Sequence, residues 1–185
     1  MNGIEFFKRL LGNHAPEAVH HGRLLQAALG TRVLVVDDSP TIRAVLGKML
    51  GLDGYAVQKA VDGESAIELA KAEQPELIFL DIVLPGFNGF AVLRALRHDP
   101  LTRHIPIVMI SGNQQATEQF YVQRFGADDF IKKPFGQRAV QQSIHQLVRA
   151  GRLAARIAAP AVAVVPSESV TPYQEISSTV SGMAA

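Results

Sequence analysis

The stretch Leu34-Val35-Val36-Asp37-Asp38-Ser39-Pro40 drives an apolar run straight into two adjacent carboxylates. Like charges side by side repel, and burying either one is costly unless a positive group compensates. The pair therefore belongs either to a solvated turn or to a site that holds a cation. The run before it, residues 32–36, is continuous and β-branched, as a strand buried on both faces should be. Ser39 and Pro40 then open a helix, with serine as N-cap and proline at the first helical position. Ile42, Val45, Leu46, Met49 and Leu50 follow at i, i+3, i+4, i+7 and i+8 and make one apolar face.

The same cycle repeats outward from this unit. Residues 55–61 read as a strand, and Asp62-Gly63 turns into a helix carrying Ile67, Leu69 and Ala70. Residues 76–80 are a third strand, followed after a Pro-Gly loop by a helix through Val92, Leu93 and Leu96. Residues 105–110 are a fourth, with a helix over roughly 114–125, and residues 129–132 a fifth. A last helix runs from about Gln137 to Ala150, with Val140, Ile144, Leu147 and Val148 inward. Alternating strands and helices predict an α/β fold: a doubly wound five-stranded parallel sheet with helices on both faces.

Composition narrows the function classes. The 185 residues hold one ordinary domain with some to spare, and the hydrophobic share of 48% is ample for a core. There is no cysteine, so neither a disulfide framework nor a thiolate metal site exists. No apolar run approaches the roughly 18 residues of a membrane span, and no signal-peptide core is recognisable, which suits a cytoplasmic protein. The net charge of +1 is spread thinly: +1 over residues 1–30 and zero over both 31–150 and 151–185. No segment has the basic excess of a nucleic-acid-binding domain.

In a doubly wound sheet, ligands bind at the carboxyl ends of the strands, near the switch in strand order. Here the first strand ends in Asp37-Asp38, the third in Asp81, the fourth in Ser111 and the fifth in Lys133-Pro134. Each feature alone has a plain reading as a turn, a helix cap or a solvated lysine. Together they gather three carboxylates, a hydroxyl and an ammonium on one rim, which suits a hard cation.

This arrangement resembles the receiver domain of two-component response regulators over Thr31–Ala150. The residues that carry the likeness are Asp37-Asp38, the segment DIVLPGFNG (81–89), Ser111 and Lys133-Pro134-Phe135. The nearest subgroup looks like stand-alone, CheY-like receivers of chemotaxis or type IV pilus systems. The resemblance implies strand order 2-1-3-4-5 and a phosphorelay response regulator, a phosphoacceptor signalling protein rather than a conventional enzyme. A sensor histidine kinase or phosphotransfer protein would supply the phosphoryl group. Asp81 would accept it, with Mg²⁺ bound by Asp38, Asp81 and the backbone carbonyl of Val83, and by Asp37 through water. Lys133 would pair with a phosphoryl oxygen, aimed by a cis Lys133–Pro134 peptide, and Ser111 would hydrogen-bond the phosphoryl group. Phe130 occupies the aromatic switch position, where it lacks a tyrosine hydroxyl. A protein effector would dock on the face made by helix 114–125, strand 129–133 and helix 137–150, with neither nucleic-acid binding nor stable membrane insertion.

Three other readings carry weaker signals. A haloacid-dehalogenase-type phosphatase needs Asp-x-Asp, but Asp81 is followed by Ile82-Val83 and Asp37 by Asp38-Ser39. The 35 residues after Ala150 are neutral and poor in aromatics, too little for a helix-turn-helix effector. A receiver acting only as a phosphate sink would carry the same motifs. The six histidines (14, 20, 21, 98, 104 and 145) lack convergent ligand spacing and read as surface residues. Outside the receiver, residues 1–30 form an extension whose 3–12 stretch reads as a short amphipathic helix that packs on the domain or frays. Residues 151–185 read as an extension of the last helix and a disordered tail.

Overall fold

The computed structural model describes residues 24–86, 88–112 and 124–157. Its elements in chain order are β1 (Arg32–Val36), α1 (Pro40–Leu52), β2 (Ala56–Ala60), α2 (Gly63–Glu73), β3 (Leu77–Asp81), α3 (Gly89–His98), β4 (Ile107–Ser111), β5 (Asp129–Lys132) and α4 (Gln137–Arg149). The five strands are parallel in the order β2-β1-β3-β4-β5. The expected helix over 114–125 falls almost wholly on residues 113–123, outside the described residues.

Alternation along each strand explains how one sheet carries two cores. Val33, Val35, Leu77, Phe79, Val108, Ile110 and Ile131 point to one face, where Leu46 and Leu50 of α1 and Val140, Ile144 and Leu147 of α4 cover them. Leu34, Val36, Ile78, Leu80, Ile107 and Met109 point to the other, beneath Ala66 and Ala70 of α2 and Val92, Leu93 and Leu96 of α3. With both faces covered, β3 and β4 are buried at every residue, as their unbroken apolar sequences require. The edge strands β2 and β5 are only partly buried.

Capping sets the helix starts. Ser39 accepts from the Ile42 amide at 3.4 Å, Asp62 from the Ser65 amide at 2.8 Å and Asn88 from the Phe90 amide at 3.0 Å. Strand ends depart from the sequence expectation by one or two residues, for local reasons. The Tyr55 amide donates to the Leu50 carbonyl at the exit of α1, so β2 starts one residue later than 55. Pro106 has no amide to donate and offers only its carbonyl, to Ile78, so β4 starts at Ile107 rather than 105. At the far end Asp81 stays in register, opposite Ile110, and belongs to β3.

The folded unit continues on both sides of residues 31–150. Ala27 and Ala155 form an antiparallel bridge, and the Ala28 amide donates to the Ala154 carbonyl at 2.9 Å. Ala27 and Leu153 are buried in the α1/α4 core. Residues 24–30 and 151–157 thus close the amino end of the sheet. The stretch 3–12 and the tail beyond 157 lie outside the described residues.

Candidate functional site

The switch in strand order falls between β1 and β3, the neighbours from which the chain first turns one way and then the other. Val36 pairs with Leu80, so the next residues out, Asp37 and Asp81, leave adjacent strands side by side. Ser111 ends β4 one residue beyond the partner of Asp81. Asp37, Asp81 and Ser111 are buried, while Asp38 faces solvent. Asp37, Asp38 and Asp81 each offer a carboxylate oxygen within 4.8 Å of the other two. Among the described residues this is the sole group of acidic or histidine side chains with such spacing.

Lys133 reaches the same point from beyond β5. Its Nζ donates to Asp37 Oδ2 and to Asp81 Oδ2, each at 2.8 Å, and the Lys133–Pro134 peptide is cis, as the resemblance implies. The Lys133 amide donates to the Ser111 carbonyl at 2.7 Å, which ties the β5 exit to the β4 end. Lys132, its neighbour, is exposed.

Two buried carboxylates share one ammonium here, with a third carboxylate beside them. Burial pushes the Asp81 carboxyl above the usual carboxylate range; the hydrogen bond and charge of Lys133 pull it back, and Asp37 pushes it further up. Burial pulls Lys133 down, but its hydrogen bonds to Asp37 and Asp81 outweigh that and hold it above an ordinary lysine. The lysine is therefore a fixed cation at neutral pH, and the pocket remains short of positive charge. All the side-chain donors are carboxylate oxygens, and one of the three carboxylates is open to water. That set suits a small hard dication that keeps part of its hydration shell.

Two residues to which the sequence reading assigned no role hold this geometry. Arg43, one turn into α1, points back toward the helix start, and its Nη1 donates to the Asp37 carbonyl at 2.6 Å. Its place after the cap was the available signal. Gly89 opens α3 directly behind Asp81. A Cβ there would meet the Asp81 carbonyl oxygen at 2.2 Å and the Ile82 Cα at 2.8 Å. The Gly89 amide donates to the Ile82 carbonyl at 2.9 Å, so only glycine lets α3 start this close to the β3 end.

Two other expected site residues sit farther out. Val83 is 68% exposed, and its amide donates to Asp81 Oδ1 at a long 3.4 Å. Phe130 is half-buried on β5, opposite Met109, and packs against the α2/α3 core. Of the histidines, His98, His104 and His145 are described, and none joins an acidic cluster. His145 Nδ1 accepts from the Leu25 amide at 2.8 Å.

The response regulator receiver domain model matches residues 33–145, a span that takes in every strand end named above. The chain belongs to the response regulator receiver family. This receiver is 37% identical over 117 residues to protein PilH of Pseudomonas aeruginosa, an alignment covering 63% of the chain and 97% of PilH. It spans about half or less of the length of the next curated relatives it matches. Among solved structures, the chemotaxis protein CheY4 of Vibrio cholerae superposes with a TM-score of 0.60 at 28% identity, over 64% of this chain and 98% of CheY4. The receiver domain of sensor histidine kinase PA1611 from Pseudomonas aeruginosa, which has a magnesium ion coordinated in its active-site cleft, superposes with a TM-score of 0.60 at 27% identity. That match covers 65% of this chain and 98% of the PA1611 domain. The receiver's fold and its place among phosphorelay response regulators follow from these matches. No helix among the described residues is long and apolar enough to cross a membrane.

Proposed function

We propose that Asp81 of this receiver accepts a phosphoryl group from a phosphohistidine on a kinase or phosphotransfer protein. The observation that carries the reading is the contact of Lys133 Nζ with both Asp37 and Asp81 at 2.8 Å, at the switch point of the sheet. An Asp81 carboxylate oxygen forms a bond to phosphorus as the donor's N–P bond breaks. The imidazole keeps that electron pair and takes up a proton, and an acyl phosphate remains on Asp81. Such a transfer asks the protein for in-line positioning and charge neutralisation rather than covalent chemistry.

Mg²⁺, held by Asp38, Asp81 and the Val83 carbonyl and through water by Asp37, would neutralise charge on the phosphoryl oxygens. Lys133 is placed to leave its carboxylate partners for a phosphoryl oxygen, since it is a point charge on a flexible stem. Ser111, one strand over from Asp81, supplies the hydroxyl that the phosphoryl group draws in. Gly89 and Arg43 hold the backbone at Asp81 and Asp37 in place.

The output is binding of a protein partner at the face that carries Phe130. Ser111 and Phe130 lie on neighbouring strands, so movement of the first toward the phosphoryl group frees space for the second. Val83, exposed and apolar beside the pocket, cannot orient a hydrolytic water by hydrogen bonding and so favours a long-lived acyl phosphate.

The test is labelling with acetyl phosphate and Mg²⁺ in the full chain. One base-labile phosphoryl group is expected in the native protein and none in Asp81→Asn. Labelling that persists in Asp81→Asn contradicts the proposal.

A further inference from the structure

The chain enters the described structure at Leu24 and leaves it at Ile157, and these two points lie together. The Arg156 amide donates to the Gln26 carbonyl at 2.8 Å, and its guanidinium donates to Gln26 Oε1 at 2.8 Å and to the carbonyls of Ala27 and Asp53. The same guanidinium lies 5.8 Å from the centre of the Tyr55 ring. Beside this clasp is an open cavity of 210 Å³ lined by Leu24, Leu25, Gln26, Tyr55, Gln141 and Ile144. That exceeds the roughly 150 Å³ that admits a benzene ring. No lining residue is charged. At its rim Gln141 gives its amide to the Asp53 carboxylate at 3.2 Å, and Gln137 does so at 3.4 Å. Among the described residues no cation pairs with that carboxylate. On the far side of the clasp Leu29 and Arg156 close over Gly54, and Leu29, Leu52 and Ile157 are 70%, 72% and 91% exposed.

We propose that this cavity is the docking site of the chain's own residues 3–12, Gly-Ile-Glu-Phe-Phe-Lys-Arg-Leu-Leu-Gly, with a phenylalanine ring as the plug. Three observations select this occupant. First, the cavity wall includes Leu24, and Phe7 lies only 17 residues before it in the chain. A stretch of that length spans roughly 23 Å at random-coil dimensions. It presents the segment at an effective concentration in the millimolar range, far above that of a second copy in dilute solution. Second, Phe6, Phe7, Leu10 and Leu11 match an uncharged cavity whose apolar wall is Leu24, Leu25, Ile144 and the Tyr55 ring. Third, Lys8 and Arg9 supply the cation that Asp53 lacks.

Docking here covers the α1/α4 face at the amino end of the sheet and leaves the Asp81 pocket open. It is independent of whether Asp81 is phosphorylated. The receiver would then carry two separate surfaces, one answering to the phosphoryl group and one occupied by its own residues 3–12.

The chain has no cysteine, so an engineered pair reports cleanly. Phe7→Cys with Gln141→Cys in the full chain, oxidised at low concentration, should give a reducible intrachain disulfide. Its yield should exceed that of Phe7→Cys with Glu68→Cys, across the sheet on α2, by about tenfold or more. Equal yields from the two pairs overturn the proposal. So does a disulfide-linked dimer, which makes a second copy the occupant. Binding of the native chain to phosphatidylglycerol vesicles without an intrachain link overturns it in favour of a membrane surface. In a variant free of these changes at the cavity, Phe7→Ala should shift the Tyr55 and Ile144 amide resonances, and unmoved resonances count against docking.

Discussion

The two ends of the sheet treat buried charge in opposite ways. At the carboxyl end, two buried carboxylates share the single ammonium of Lys133, and the exposed carboxylate of Asp38 lies within 4.8 Å of both. At the amino end, the single carboxylate of Asp128 is shared by two guanidinium groups. Its Oδ2 accepts from Arg97 Nη2 and from the Ile107 amide, and its Oδ1 accepts from Arg152 Nε, all at 2.8 Å. Arg97 is further held by the carbonyls of Gly126, Ile105 and Arg103 at 2.7, 2.8 and 3.2 Å. Burial lowers the pKa of Arg97 and the charge of Asp128 opposes that, so the pair is stable only as a pair. One end is saturated with partners and fastens α3, β4, β5 and the segment after α4. The other is left short of positive charge where we propose that a cation and a phosphoryl group bind. Stability and function are thus separated along the strand axis.

Removing a carboxylate should have opposite effects at the two ends. Asp128→Ala leaves a half-buried guanidinium without its partner, and should cost about 3 kcal/mol in urea unfolding. Gly89→Ala tests the backbone wall of the pocket. Its Cβ would collide with main chain rather than a yielding side chain, so a loss of about 2 kcal/mol is expected. Phosphorylation should slow as well, because Asp81 must move. Asp38→Ala relieves repulsion at the acid pocket and should raise metal-free stability by about 1 kcal/mol while weakening Mg²⁺ binding. If Asp38→Ala destabilises the metal-free protein as Asp128→Ala does, the two ends are not different in kind.

A finer effect lies in the pH dependence. The folded-state pKa of Asp81 is raised above the ordinary 3.8. Between these values the folded state binds the extra proton, so the contribution of Asp81 to stability falls as pH rises from 3.8 through its folded pKa. In metal-free buffer Asp81→Asn should therefore gain on the native protein as pH rises through that window, then hold constant. A difference curve that declines instead would place Asp81 among favourably paired carboxylates.

Much of this was legible in sequence, and the reason is periodicity. Five strands and their helices each repeat a pattern over several residues, and the acid pocket falls at strand ends that the pattern itself locates. Arg43 and Gly89 were not legible because their roles depend on approach distances: a guanidinium reaching back one turn, and a helix start pressed on a strand end. The closure of the amino end was hidden for another reason. Ala27, Leu153 and Arg156 sit in short segments without period, and Arg156 meets partners up to 130 residues away. Nothing local marks such a contact. The same holds for Asp128, whose partners Arg97 and Arg152 arrive from other elements.

The central claim is that the charge-poor end exists to bring a phosphoryl group onto one carboxylate. Its most direct test is chemical mapping of the phosphorylated full chain. Borohydride reduces an aspartyl phosphate to homoserine, and peptide mass spectrometry then reads the position. Homoserine at residue 81, formed only with Mg²⁺ and phosphodonor present, is the predicted result. Homoserine at 37 or 38, or an unreduced chain that still carries phosphate, contradicts it.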